Sequence, residues 1–259
     1  MSWVHVVTVG ISLALNMERS KGSTVSGDEL ERRLMRMREG ARSQYVKELV
    51  NFIESRDPSE ACAELNALSR MLDEIAIIYL VHTDTESGRC CAKALKDYLE
   101  SNHAKTVRTI EVEGLSGAET FQAGLSNLAR TIAELVVRHR GRGRVRICAT
   151  GGFKPETVIA SVIGFIAGAP VYYIHEAFRE EVHLPALPLT WRIKPEHRKA
   201  IEALLQAGEQ GIDKLEFQRE FGYQTVKMLQ ENWLIEEIEN RYRPTKIMKA
   251  IMEAIQMLK

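Results

Sequence analysis

The chain has 259 residues, and 35 Lys+Arg against 35 Asp+Glu give it a formal net charge of zero. With 45% hydrophobic and 27% charged residues it can bury a sizeable core, which excludes a disordered chain. Its length suits one large domain, or a medium domain plus a small one. Zero net charge argues against coating nucleic acid by bulk electrostatics, but leaves room for a local basic pocket that takes a small anion.

Residues 3–9 are an apolar, β-branched run that stops at Gly10, a buried strand. The run is short, interrupted by His5 and preceded by no basic segment, so it does not read as a signal peptide. Gly10, Ile11, Ser12 and Asn16 follow as a turn at the strand's end. Ser12 can bond a phosphate or a ribose hydroxyl there, while Asn16 reaches a base or sugar, or caps a helix. No Gly-x-Ser-x-Gly elbow surrounds the serine. Residues 27–55 have a charged, helical pattern that breaks at Asp57 and Pro58, and a second helix covers 60–72. Residues 74–82 are a second buried strand. The polar turn 83–88 offers the hydroxyls of Thr83 and Thr85, as ligand contacts or as helix caps, and a helix runs on to about residue 99.

Residues 106–112 predict a third strand, 116–137 a helix, and 145–149 a fourth strand. The arginines at 138, 140, 142, 144 and 146 look like a nucleic-acid patch. They lead into the fourth strand, opposite the ligand-binding ends of the strands, and read as a solvated loop. Residues 157–174 carry no charge and contain the Gly164-x-x-x-Gly168 spacing of membrane dimers. Pro170 and the β-rich residues 171–174 favour a buried helix over 155–167 and a fifth buried strand, so no membrane is expected.

Strands alternating with helices predict a parallel sheet covered on both faces, with ligands outside the strands' carboxyl ends. His82 and His175 end strands near that rim and are candidates for proton transfer. The turn Thr150, Gly151, Gly152, Phe153, Lys154, Pro155 is the most informative segment. Two glycines let backbone N–H groups approach an anion closely. Pro155 suits the first helical position, which puts Lys154 at the cap, where the helix adds positive potential. This suits a phosphate site, and equally a plain strand-to-helix turn with an exposed lysine. Neither the Walker spacing nor Gly-x-Gly-x-x-Gly is present, so ATP, NAD and other cofactors are not indicated. Cys62, Cys90, Cys91 and Cys148 form no C-x-x-C pair and no zinc spacing with the seven histidines. They read as reduced thiols of a cytoplasmic protein, and no metal set is evident.

Residues 184–190, with Pro195, read as a linker. Short helices at 197–207, 213–220 and 223–233 follow, then a strand-turn-strand about Glu239 and Asn240 and a closing helix at 246–258. Together they predict a winged helix-turn-helix and two domains, 1–190 and 191–259. Arg192 and His197 match the Arg-x-x-x-x-His spelling of HEPN ribonucleases, but Pro195 interrupts it and we treat it as coincidence. Residues 197–259 hold ten Lys/Arg and ten Asp/Glu, and the third helix has only Lys227 and Glu231. That balance argues against duplex DNA as a partner.

In order and spacing, residues 8–12 with Asn16, 63–68, 83–88, 113–115, 121–128 and 149–154 resemble the CARF-domain proteins of CRISPR type III systems. The resemblance covers roughly residues 3–176 and is nearest to the standalone ring nucleases. It implies a Rossmann-like α/β fold and a homodimer that binds cyclic oligoadenylate, cyclic tetra-adenylate foremost, across its axis. It further implies metal-free cleavage of that ring, which switches off the antiviral signal. Ser12 and Lys154 stand at the family's catalytic positions. Gly10, Ile11, Asn16, Thr83, Thr85, Thr150, Gly151, Gly152 and Phe153 stand where ligand contacts are expected. Relatives with a nuclease domain downstream are activated by the ligand instead, and this tail lacks such a motif. A ligand-sensing regulator that binds DNA through its winged helix, or a ligand-binding protein without catalysis, are the alternatives.

Overall fold

The structure, a computed structural model, describes residues 3–103, 105–140, 144–175, 180–184 and 193–258. Runs rich in β-branched residues build the parallel strands, which are buried at the centre of the sheet and exposed toward its outer edge. These are β1 (Trp3–Val9), β2 (Ile75–Thr83), β3 (Thr106–Val112), β4 (Arg144–Cys148) and β5 (Val171–Ile174), all parallel. A sixth strand, β6 (Glu181–Leu184), pairs antiparallel with β5, giving the order β3-β2-β1-β4-β5-β6. This is a Rossmann-like α/β arrangement with a mainly parallel six-stranded sheet.

One face is covered by α1 (Ser12–Ser20), α2 (Gly27–Arg36), α3 (Glu39–Glu54), the single turn α4 (Pro58–Ala61), α5 (Ala63–Ser69) and α6 (Glu86–His103). Their apolar stripes, among them Leu13, Leu30, Leu49, Leu65 and Leu95, meet Val7 and Val9 of the central strand. On the other face α7 (Phe121–His139) and α8 (Lys154–Ala167) pack against Val4 and Val6. The alternation of side chains along β1 thus feeds two cores.

A third core surrounds Leu204, Phe217 and Tyr242. It is built by α9 (Pro195–Ala207), α10 (Lys214–Phe221) and α11 (Tyr223–Glu231) with a small antiparallel sheet. That sheet joins β7 (Ile212–Asp213), β9 (Arg241–Pro244) and β8 (Ile235–Ile238) in the order β7-β9-β8. The β8–β9 hairpin turns through Glu239 and Asn240, with φ of 50° and 61°, the sense that matches strand twist. The last helix, α12 (Lys246–Leu258), serves two cores: Met248 enters the third, while Ala250, Ala254 and Leu258 pack with α7 and α8. Arg130 of α7 holds Glu253 of α12 at 2.7 Å.

Several boundaries differ from the sequence expectation. The segment after β1 is helical from Ser12, because Leu13, Ala14 and Met17 all bury inward. The expected helix over 27–55 is two helices separated by extended Met37 and Arg38. Leu34 and Tyr45 are eleven positions apart, nearly in phase on a helix, so periodicity does not reveal the break. Cys62, at φ −158° and ψ 167°, divides the helix expected over 60–72. The helix expected from 116 opens at Phe121. Lys154, not Pro155, is the first residue of α8, and Pro195 opens α9 rather than ending a linker. Strand β6 was not anticipated, since its four residues include a glutamate and a histidine. Arg142, Arg192 and residues 185–190 lie outside the described residues. Among the described residues no helix is long and apolar enough to cross a membrane.

Candidate functional site

The chain leaves β1 and β4 toward opposite faces of the sheet, and a crevice opens between their carboxyl ends. Here two turns touch backbone to backbone. A Cβ on Gly10 would lie 2.6 Å from the amide nitrogen of Gly152. One on Gly151 would lie 2.6 Å from the Thr8 carbonyl and 2.7 Å from the Gly10 nitrogen, and would fall on the Glu64 carboxylate. Gly152 has φ +98°, and a side chain there would strike Glu156. Close approach, rather than loop flexibility, is the reason for glycine at these three positions.

A cavity of about 1380 Å³ opens above this contact. Its walls include Gly10, Ile11, Ser12, Asn16, Thr83, Thr85, Thr150, Gly151, Gly152, Phe153, Lys154 and His175. His82 is absent from them. Successive strand residues face opposite ways, so Thr83 reaches the cavity while His82 is buried against its own strand, with Nδ1 2.9 Å from the Thr83 carbonyl. Burial holds its pKa below the usual histidine range. The expected placement of His82 beside the ligand is therefore not met.

Ser12 is the first residue of α1, whose N-terminus has no side-chain cap. Its hydroxyl donates to Glu64 Oε2 at 3.3 Å and accepts from the Ala63 N–H at 3.5 Å. The Asn16 amide donates to the Ala61 carbonyl at 3.0 Å, which ties α1 to α4. Thr85 accepts the Gly88 N–H at 3.0 Å and so caps α6, with the Thr83 hydroxyl 2.7 Å away. Thr150 accepts the Ile174 N–H at 3.2 Å and thereby braces β4 against β5. Phe153 is 61% exposed, and beside it Lys154 is exposed with no ion-pair partner among the described residues. Among the described residues, the lysine and arginine side chains that reach the cavity are Arg19 and Lys154.

Three carboxylates that bind amides at this rim escaped the sequence reading, and Asp28 and Glu60 also line the cavity. Glu64 of α5 accepts the Gly10 N–H at 2.8 Å. Glu156 accepts the Phe153 N–H at 3.2 Å, and Glu31 of α2 accepts the Glu86 and Ser87 N–H groups at 2.8 and 2.9 Å. Glu156 therefore occupies an amide of the turn that the sequence suggested for an anion. Burial raises the Glu64 pKa against the pull of its hydrogen bonds, and pushes Glu156 up to about 7. Of the three, only Glu156 had a sequence signal: an acid three residues past the helix cap commonly reaches back to the cap's N–H. Glu64 and Glu31 arrive from helices distant in sequence, with no spacing rule to reveal them.

The arrangement presents a hydroxyl, an ammonium group and an uncapped helix N-terminus to one large cavity, a combination that can hold and polarise an anion. Residues 59–187 match the model of a family described as CRISPR-associated protein (Cas_APE2256). That match supports a CRISPR-associated protein. It takes in Glu64 and the turn with Lys154, and begins after Ser12.

Proposed function

We propose that the chain is a ring nuclease that binds cyclic oligoadenylate, with cyclic tetra-adenylate its substrate, and cleaves it without metal. One observation carries this: Ser12 and Lys154, from turns on opposite sides of the β1–β4 crevice, line the same cavity. At about 1380 Å³ that cavity exceeds the ~300–1,000 Å³ usual for drug-sized ligands, as an oligonucleotide ring requires. The CRISPR-associated family match agrees with it.

Each ribose carries its own nucleophile. The 2′-oxygen attacks the adjacent phosphorus and gives up its proton. The bond from phosphorus to the 5′-oxygen breaks, that oxygen takes a proton, and a 2′,3′-cyclic phosphate forms. The protein has to hold the sugar in line and offset the charge that grows on the phosphate. Ser12 does the first. Lys154, whose charge is not committed to an ion pair among the described residues, does the second. A twofold homodimer facing its partner across this rim would give a cyclic substrate two equivalent cleavage points.

We read residues 191–259 as a winged helix that supports packing or dimerisation rather than DNA binding. Three of its cations are engaged within the protein. Lys214 pairs with Glu237 at 2.7 Å, Lys227 lies 3.7 Å from Glu231, and Arg241 donates to the carbonyls of Gln210 and Gly211. The test is incubation with cyclic tetra-adenylate in EDTA and identification of the products. Linear fragments ending in 2′,3′-cyclic phosphate are expected. An intact ring that remains bound would favour a binding protein without catalysis, and no binding would overturn the proposal.

A further inference from the structure

Glu64 is fully buried and lies at the meeting point of both turns of the cavity. Its hydrogen-bond partners among the described residues are donors. Oε1 accepts the Gly10 N–H at 2.8 Å, Oε2 faces the Ser12 hydroxyl at 3.3 Å, and the Glu64 backbone N–H and Cys62 thiol complete the set. Because donors meet both of its oxygens, the carboxyl group serves as the acceptor toward Ser12. The Ala63 N–H, in turn, points at the Ser12 oxygen from 3.5 Å. A hydroxyl has one hydrogen and two lone pairs. The hydrogen of Ser12 is directed at Glu64, one lone pair receives Ala63, and the second is left for the cavity that Ser12 lines.

We propose that Glu64 is a positioning residue that makes the Ser12 hydroxyl a hydrogen-bond acceptor toward the cavity, so that the site selects a sugar with a donor there, a ribose 2′-hydroxyl, over sugars without one. The proposal rests on the ring-nuclease reading above and adds the origin of its sugar selectivity. It also excludes a role for Ser12 as a donor to phosphate, which leaves the phosphate to Lys154. In Glu64→Gln the amide carbonyl keeps the Gly10 N–H and its NH₂ faces Ser12, so the serine hydrogen turns into the cavity.

The test compares cyclic tetra-adenylate with its fully 2′-fluoro counterpart, which offers an acceptor but no donor and lacks the nucleophile. Affinity for the ribose ring is taken by stopped flow before cleavage, and for the fluoro ring by calorimetry. The wild type should prefer the ribose ring by roughly 2- to 12-fold per contact, the range of one net hydrogen bond. Glu64→Gln should lose or invert that preference, and Ser12→Ala should abolish it while leaving Glu64 in place. Thermal melts confirm folding, and should Glu64→Gln not fold, Ser12→Ala decides alone. Equal affinity of the wild type for the two rings, or an unchanged ratio in a folded Glu64→Gln or in Ser12→Ala, overturns this inference while the ring-nuclease reading stands. Failure of the wild type to bind either ring overturns both.

Discussion

Substituting Gly151 by alanine tests the contact on which the cavity is built. The new methyl would enter a space bounded by the Thr8 carbonyl at 2.6 Å, the Gly10 nitrogen at 2.7 Å and the buried Glu64 carboxylate. Two of these are backbone atoms of the central strand and its turn, and the third is fixed by Gly10 and Ser12, so none can swing away. Overpacking of this kind costs about 1–3 kcal/mol. For a chain this long each kcal/mol lowers the melting temperature by about 2–4 °C, so a fall of roughly 2–12 °C is expected. Relief should come mainly by separating the turns after β1 and β4, which moves Ser12 away from Lys154 and slows cleavage. Gly40→Ala is the control, since a Cβ there has nothing within 4 Å and lies within α3. It should leave stability equal or slightly raised. In a double-mutant cycle, Glu64→Ala should reduce the cost of Gly151→Ala, because neighbours that share a contact are not additive. Differential scanning calorimetry with single-turnover cleavage measures both effects. A Gly151→Ala protein with wild-type melting and wild-type cleavage would refute the close approach and the account of the site built on it.

Lys154→Ala should slow single-turnover cleavage of cyclic tetra-adenylate by about 10²–10³ with a smaller loss of affinity, and Lys154→Arg should rescue only part; equal losses in rate and affinity would place the charge in ground-state binding. Ser12→Ala should give a smaller but clear loss of rate. Buried His5, with Nδ1 2.7 Å from the Tyr172 hydroxyl, has its pKa lowered to about 3, chiefly by burial and also by Arg146. The unfolded chain takes up this proton near 6.5 and the folded protein does not. The stabilisation is therefore complete above pH 6.5 and is lost as pH falls from 6.5 toward 3, at up to about 1.4 kcal/mol per pH unit. Urea midpoints between pH 6.5 and 5 should show this slope in the wild type and less of it in His5→Phe; identical slopes would assign the acid sensitivity elsewhere. The isolated charge pattern of residues 197–259, ten cations against ten anions, predicts no tight duplex DNA binding by the full chain, and nanomolar, sequence-selective binding with a steep salt slope would promote the regulator alternative.

The amino-acid sequence alone was enough for the alternation of strands and helices, the rim at the strands' carboxyl ends, and the two glycine-bearing turns. Those features are local: β-branched runs such as Trp3–Val9 and a glycine pair before Pro155 carry their own signal within a few residues. Only the tertiary structure decided where helices break within an unbroken hydrophobic phase, as at Met37 and Arg38, since the turn there is set by what each half packs against. The same holds for side chains that meet from afar. His82 ended a strand at the expected rim, yet strand alternation turned it away from the cavity. Glu64 is more than fifty residues from Gly10 and Ser12 in the chain, and nothing in its neighbourhood marks it as part of the site. It becomes legible only when α5 lays its carboxyl group under both turns, because a buried polar group reveals its role through the donors that converge on it, and convergence is a property of the fold.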